Sequence, residues 1–141
     1  MSENIPKTLK VRKLRMLIVD DSNEAVDVIK LFLKKMGVND VQYTIDGEAA
    51  WTVLNRDYVT NDHRYDLVLV DWNMPGLKGI DLLKRMRKSE RFKETPFIMV
   101  TADGGAESVK EALEAGVSSY LLKPVTAEKL TKKISAVLKL A

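Results

Sequence analysis

The sequence predicts an α/β fold: a doubly wound, five-stranded parallel sheet covered by five helices. Three observations predict it. Short apolar runs suited to strands alternate five times with segments whose apolar residues recur at helical spacing, a pattern that places a parallel sheet between layers of helices. The run Leu67–Val70 is apolar at every position, as suits a strand buried on both faces. At 141 residues, with 45% hydrophobic and 30% charged residues, the chain fits one globular domain with a single core that needs no metal or disulfide staple. Right-handed crossovers then put helices on both sides of the sheet. No internal repeat and no second-domain boundary interrupts the pattern, and the absence of cysteine rules out thiol chemistry and a disulfide framework.

Taken in order, residues 1–13 read as a basic N-terminal tail and 14–141 as the domain. Lys7, Lys10, Arg12, Lys13 and Arg15 form a basic cluster that reads as solvated, because no aromatic side chains accompany it to stack on bases. A net charge of +3 from 23 basic and 20 acidic residues gives no strong field for nucleic acid, so no direct nucleic-acid binding is expected. No apolar run approaches the roughly 20 residues needed to cross a bilayer, and the polar start MSENIPK has no apolar signal segment. The expectation is a cytoplasmic protein without membrane insertion.

The first strand, 16–19, ends in Asp20 and Asp21. Ser22 or Asn23 caps a helix whose apolar face is Val26, Ile29, Leu33 and Met36, and Gly37 closes it. A second strand over 41–45 leads through Asp46 and Gly47 into a helix over about 48–55, where Trp51 reads as packing. Residues 56–64 are polar and hold the only histidine, His63, which reads as a surface residue because no partner cluster makes a metal site of it. After Leu67–Val70 the apolar run stops at Asp71. The turn-rich WNMPG follows, so this carboxylate either caps the next helix or stands at the strand's carboxyl end, where ligands bind in open parallel sheets. Ile80, Leu82, Leu83 and Met86 mark the third helix, with Lys84, Arg85, Arg87 and Lys88 on a solvated face. The fourth strand, 96–100, ends at Thr101, and a loop with Asp103, Gly104 and Gly105 enters a helix over 107–115 stopped by Gly116. The fifth strand, 118–122, ends at Lys123 and Pro124. Thr126 caps a last helix striped by Leu130, Ile134, Val137 and Leu138.

Collected, the strand ends are Asp20 with Asp21, Asp71, Thr101 and Lys123. A parallel sheet projects all of them at one edge, around a common crevice. Three crowded carboxylates repel one another strongly and call for a cation among them. Hard oxygen ligands with room for water suit Mg²⁺ better than zinc. A carboxylate, a divalent ion, a lysine and a hydroxyl are also what phosphoryl transfer uses: a nucleophile, charge neutralisation and donors for the equatorial oxygens.

These residues resemble the receiver domain of two-component response regulators, most closely the stand-alone chemotaxis type. The resemblance rests on Asp20-Asp21, on DWNMPGLKG around Asp71, on VTA at 100–102 and on SSYLLKP at 118–124, and it covers about residues 16–138. It implies the strand order 2-1-3-4-5, which general knowledge of this fold type supplies. It implies that Asp71 accepts a phosphoryl group from the phosphohistidine of a sensor histidine kinase. Asp20 or Asp21, Asp71 and the backbone carbonyl of Asn73 hold Mg²⁺, and Lys123, before a proline whose peptide is typically cis in the family, binds a phosphoryl oxygen. Thr101 swings to the phosphate, and Tyr120, which by itself reads as core, moves inward behind it. The output surface is the fourth helix, fifth strand and fifth helix, with Val109, Leu113, Tyr120 and Lys133, and it meets a downstream protein or a phosphotransfer protein. The chain departs from the family at Lys78, where an acid is usual, in a longer polar segment before Tyr65, and at Gly105 and Ala106, where the best-known chemotaxis regulators carry lysines. Asp103 and Asn73 lie at positions that tune dephosphorylation in the family.

The reading is a phosphorylation-dependent switch that assists its own phosphorylation and dephosphorylation, not an enzyme acting on a separate substrate. Two rivals are a Mg²⁺-dependent phosphohydrolase with Asp71 as nucleophile and an unphosphorylated docking domain. The first predicts an acid two residues after the nucleophile, where this chain has Asn73. The second predicts partner binding that ignores Asp71→Asn. A nucleotide-binding enzyme is disfavoured by the lack of a glycine-rich phosphate loop with its lysine and hydroxyl.

Overall fold

The computed structural model describes residues 13–60 and 64–140. Strands and helices alternate along them: β1 (Arg15–Val19), α1 (Asn23–Lys35), β2 (Asp40–Thr44), α2 (Gly47–Thr60), β3 (Leu67–Val70), α3 (Gly79–Arg87), β4 (Phe97–Thr101), α4 (Ala106–Glu114), β5 (Ser119–Leu122) and α5 (Ala127–Leu138). All strand pairs are parallel and the sheet order is β2-β1-β3-β4-β5.

Alternation along each strand sorts the core into two layers. Leu17, Val19, Val68, Val70, Phe97 and Met99 face α2, α3 and α4, while Met16, Ile18, Leu67, Leu69, Ile98 and Val100 face α1 and α5. Successive side chains of a strand point to opposite faces, so the central strands must be apolar at every position. They are: β3 and β4 are buried throughout. The edge strand β2 is covered far less, and Tyr43 and nearby Ile45 stay half exposed.

The helix ends are fixed largely as the sequence predicts. Ser22 Oγ accepts from Ala25 N at 3.2 Å and Thr126 Oγ1 from Lys129 N at 3.2 Å, each satisfying a free amide of a first turn. Gly37 and Gly116 take left-handed φ values of 93° and 94° after α1 and α4, the conformation that a helix-ending glycine supplies at no steric cost. Trp51 packs as expected, edge-on to Phe92 with centroids 5.7 Å apart and with the Arg85 guanidinium 5.4 Å from its ring.

Two expectations are corrected. α2 does not stop at Asn55 but continues to Thr60, and Arg15 does not belong to a solvated tail but opens β1. One cause accounts for both. Asp57, on the added turn of α2 and only 2% exposed, accepts from Tyr65 Oη at 2.6 Å, from Arg15 Nη2 at 3.1 Å and from Arg56 Nε at 3.1 Å. Arg15 also stacks over the Tyr65 ring at 4.6 Å. A polar stretch is thereby drawn against the sheet by an ion cluster that hydrophobic periodicity does not register. Burial alone would raise the Asp57 carboxyl, but the Tyr65 and Arg56 hydrogen bonds and the two arginine charges hold it below the ordinary carboxylate value. Tyr65 is pushed above the tyrosine range by burial and by its bond to Asp57, so it remains a donor. The residues 1–12 of the expected tail, and His63, lie outside the described residues.

The basic residues of α3 are engaged rather than free. Lys84 pairs with Glu111 at 2.9 Å, Arg85 with Glu48 at 3.2 Å, and Arg87 donates to the carbonyls of Gly116 and Phe92. They stitch α3 to its neighbours instead of forming a free cationic face.

Asp57→Ala leaves Arg15 without its closest countercharge at a site with little water, and breaking such a pair costs about 3 kcal/mol; urea unfolding is expected to show that loss. Because the folded-state pKa of Asp57 is lowered, its stabilisation is present above the ordinary value of 3.8 and disappears as pH falls through the folded value. Asp57→Asn is therefore expected to flatten the acid limb of the stability profile, measured by denaturation between pH 2 and 6.

Candidate functional site

The parallel topology sets every strand's carboxyl end on one edge. Asp20 follows β1 and is almost fully buried, with its N–H donating to Thr44 O at 3.1 Å. Its Oδ1 accepts from Ser22 N at 2.9 Å, which directs the carboxylate into the crevice. Asp71 follows β3 and is 8% exposed, and its N–H donates to Val19 O at 2.9 Å. Asp21 is exposed. One carboxylate oxygen from each of Asp20, Asp21 and Asp71 lies within 4.8 Å of the others.

Lys123 reaches this group from the end of β5. Its ammonium donates to Asp20 Oδ2 at 2.7 Å and to Asp71 Oδ2 at 3.3 Å. Burial would lower its pKa, but the hydrogen bond to Asp20 and the charges of Asp71 and Asp20 outweigh that and hold it above the ordinary lysine value, so it is cationic at neutral pH. The backbone of Lys123 is placed by its own N–H, which donates to Thr101 O at 2.9 Å. Thr101 ends β4 and is buried. The Lys123–Pro124 peptide is cis, in keeping with the resemblance.

Three carboxylates against one ammonium leave the crevice strongly negative. Hard oxygen donors gathered this closely would suit a small dication that keeps part of its water shell. Softer metals find no thiolate here, since the chain has no cysteine, and no imidazole joins the acids among the described residues. Asn73, two residues beyond Asp71 in the same loop, is exposed.

The loop after Asp71 is held by close approach. Gly79 donates its N–H to Trp72 O at 3.0 Å, and a Cβ there would fall on the Asp71 carbonyl. A Cβ on Gly47, at the start of α2, would fall on the Leu77 carbonyl. Trp72 and Met74 are buried in the core layer beneath. The sequence marks these glycines as turn residues; that two helix starts press on the backbone beside Asp71 is a tertiary fact.

On β5, Tyr120 is half-buried and donates its hydroxyl to the carbonyl of Asp103, in the β4–α4 loop, at 2.6 Å. Its phenol is raised by burial and by the negative charges of Asp103 and Asp71. Val109 and Leu113 lie on α4, Tyr120 on β5 and Lys133 on α5. Leu113 is 62% exposed and Leu122, one strand position from the site's lysine, 48%. Leu122 is an exposed apolar residue of that surface which the sequence reading did not single out. The structure thus brings Asp20, Asp21, Asp71 and Lys123 together, sets Thr101 on the adjacent strand end, and leaves Tyr120 on β5, hydrogen-bonded to the β4–α4 loop through Asp103 O.

A doubly wound sheet with acids at the ends of β1 and β3 and a lysine at the end of β5 defines a signalling domain of the response-regulator class. The chain belongs to the response regulator receiver domain family, whose model matches residues 16–135. It is similar to the chemotaxis protein CheY1 of Helicobacter pylori, at 40% identity over 89% of this chain and 97% of the relative. It is also similar to CheY-3 of Vibrio cholerae, at 38% identity over 89% and 92%. Among solved structures, a putative response regulator from Chloroflexus aurantiacus matches with TM-score 0.82 at 28% identity, over 91% of this chain and 99% of that one. The CheX–CheY–BeF3–Mg²⁺ complex from Borrelia burgdorferi matches with TM-score 0.80 at 28% identity, over 88% of each chain.

Gly79→Ala forces a methyl group into the Asp71 carbonyl, an overpacking that costs about 2 kcal/mol or more. The urea midpoint of the variant is expected to fall accordingly, whereas Gly76→Ala, which meets no atom within 4 Å, is expected to lose only about 1 kcal/mol through its positive φ.

Proposed function

We propose that the chain is a phosphorylation-dependent signalling switch in which Asp71 accepts a phosphoryl group from the phosphohistidine of a sensor histidine kinase. The observation that carries the reading is the Lys123 ammonium bridging Asp20 and Asp71 inside a cluster of three acids. An ammonium placed there is a counter-ion in the resting state and a ligand for a phosphoryl oxygen once Asp71 is modified.

Asp71 is the phosphoacceptor. A carboxylate oxygen of Asp71 attacks phosphorus, the P–N bond of the donor breaks, and the imidazole leaves with its electron pair, yielding an acyl phosphate. Asp20, Asp21, Asp71 and the backbone carbonyl of Asn73 hold Mg²⁺. When bound, Mg²⁺ neutralises the charge that builds on the phosphoryl oxygens and offsets the repulsion among the acids. Lys123 binds one phosphoryl oxygen and Thr101 donates its hydroxyl to another. Support comes from the donor set itself and from the related protein solved with BeF3 and Mg²⁺.

Phosphorylation adds about −1.5 to −2 charges. That charge favours whichever arrangement brings the Thr101 hydroxyl and Lys123 ammonium closest, with Tyr120 inward behind Thr101, and a differential contact of this kind is what biases a two-state element. The readout surface is α4, β5 and α5, where Val109, Leu113, Tyr120 and Lys133 meet a downstream protein or a phosphotransfer protein. Residues 14–141 form the receiver domain and act in the cytoplasm. The chain is a switch that assists its own phosphorylation and dephosphorylation, without catalysing turnover of a separate substrate.

Incubation with acetyl phosphate and Mg²⁺ is expected to add one phosphoryl mass to the intact protein. Asp71→Asn and chelation of the metal are each expected to abolish the adduct. An unmodified, folded wild type would overturn the phosphoacceptor role. Mg²⁺ alone is expected to raise the melting temperature of the wild type as its concentration passes the dissociation constant, and to do so much less for Asp20→Asn.

A further inference from the structure

We propose that Ser108 is a positioning residue for the switch, acting on Thr101 and Tyr120 through Asp103. The inference rests on the reading of Thr101 and Tyr120 as switch residues and names what sets their resting arrangement.

Asp103 stands where the β4–α4 loop meets both side chains. Its N–H donates to Thr101 Oγ1 at 3.3 Å and its carbonyl accepts the Tyr120 hydroxyl at 2.6 Å. The first contact occupies a lone pair of Thr101 and leaves the hydroxyl proton free for a phosphoryl oxygen. The second gives the half-buried phenol the partner it needs when turned inward. Both depend on where the Asp103 backbone lies, and Gly104 and Gly105 follow it directly, the two residues least able to hold a loop still. Gly105, the cap residue of α4, offers no side-chain cap.

The carboxylate of Asp103 supplies the restraint. Oδ1 accepts from Gly105 N at 3.0 Å, and Oδ2 accepts from Ser108 Oγ at 2.7 Å. Ser108 lies on the first turn of α4, so its bond anchors the loop to a rigid element across the glycine pair. The bond is charge-assisted, and its 2.7 Å length is typical of a hydroxyl donating to a carboxylate. Without the hydroxyl, the Asp103 carboxylate keeps only the amide of a glycine that moves with it. Its carbonyl then strays from Tyr120, and the phenol spends more time turned outward.

The test uses the full chain with Ser108→Ala and Ser108→Thr. The ring resonances of Tyr120 are followed by NMR in the free protein, and beryllofluoride affinity in Mg²⁺ is read by Trp72 fluorescence. Ser108→Ala is expected to shift the Tyr120 resonances and weaken beryllofluoride binding about threefold to tenfold, the range for losing one hydrogen bond. Ser108→Thr is expected to restore both. In a Tyr120→Phe background the effect of Ser108→Ala is expected to shrink below about twofold, because the coupled partner is gone. Unmoved Tyr120 resonances, or an equal loss in the Tyr120→Phe background, would overturn the role and leave Ser108 as a simple helix-start residue. The Tyr120 reading needs no ligand, so it decides the matter even if the wild type takes up no beryllofluoride, a result that counts against Asp71 as phosphoacceptor instead.

Discussion

The bridge from Lys123 to Asp20 and Asp71 is the interaction on which the rest of the structure depends. Two buried or nearly buried carboxylates, with a third beside them, cannot share one crevice without compensation. The ammonium supplies part of it, at 2.7 and 3.3 Å, and spans 103 positions of sequence to Asp20 and 52 to Asp71. It therefore ties the first, third and fifth strands together at their carboxyl ends. The remaining negative charge is what would make the crevice receptive to a dication.

Around that bridge, backbone placement is unusually constrained. The starts of α2 and α3 press on the chain beside Asp71 so closely that Gly47 and Gly79 leave no room for a methyl group. Across the crevice, Lys123 N is bonded to Thr101 O, and Asp103 takes a hydrogen bond from Tyr120 while giving one to Thr101. Rigid loops on the Asp71 side and a loop built on two glycines on the Thr101 side divide the labour. One side holds the Asp71 backbone by close contact; the other has few steric restraints on its backbone.

At the opposite end of the sheet the chain is organised by a second polar cluster with no evident part in the chemistry. Asp57, Tyr65, Arg15 and Arg56 join α2 to the starts of β1 and β3. The Asp57 carboxylate, buried there, is matched by three hydrogen bonds, which helps explain why a segment that looks like a loop is helical. The cationic face of α3 is likewise spent on neighbours, through Glu111, Glu48 and the carbonyl of Gly116.

The sequence by itself determined the fold class, the five strands to within about a residue at each end, the cap at Thr126, a choice of Ser22 or Asn23 for the first helix, and the set of strand-end residues that the sheet gathers at one edge. These features are local: period, capping chemistry and the breaks after apolar runs are written in neighbouring residues. Four ordered motifs then made the family recognisable. What only the tertiary structure decided concerns residues far apart in sequence. That Asp20 and Asp71 both bond Lys123, that Arg15 belongs to Asp57 rather than to a tail, that α2 runs on to Thr60, and that Ser108 holds Asp103 all follow from which chain segments the sheet brings face to face. Hydrogen-bond and ion-pair partners have no period, so pattern alone does not reveal them; the packing of strands and helices selects them.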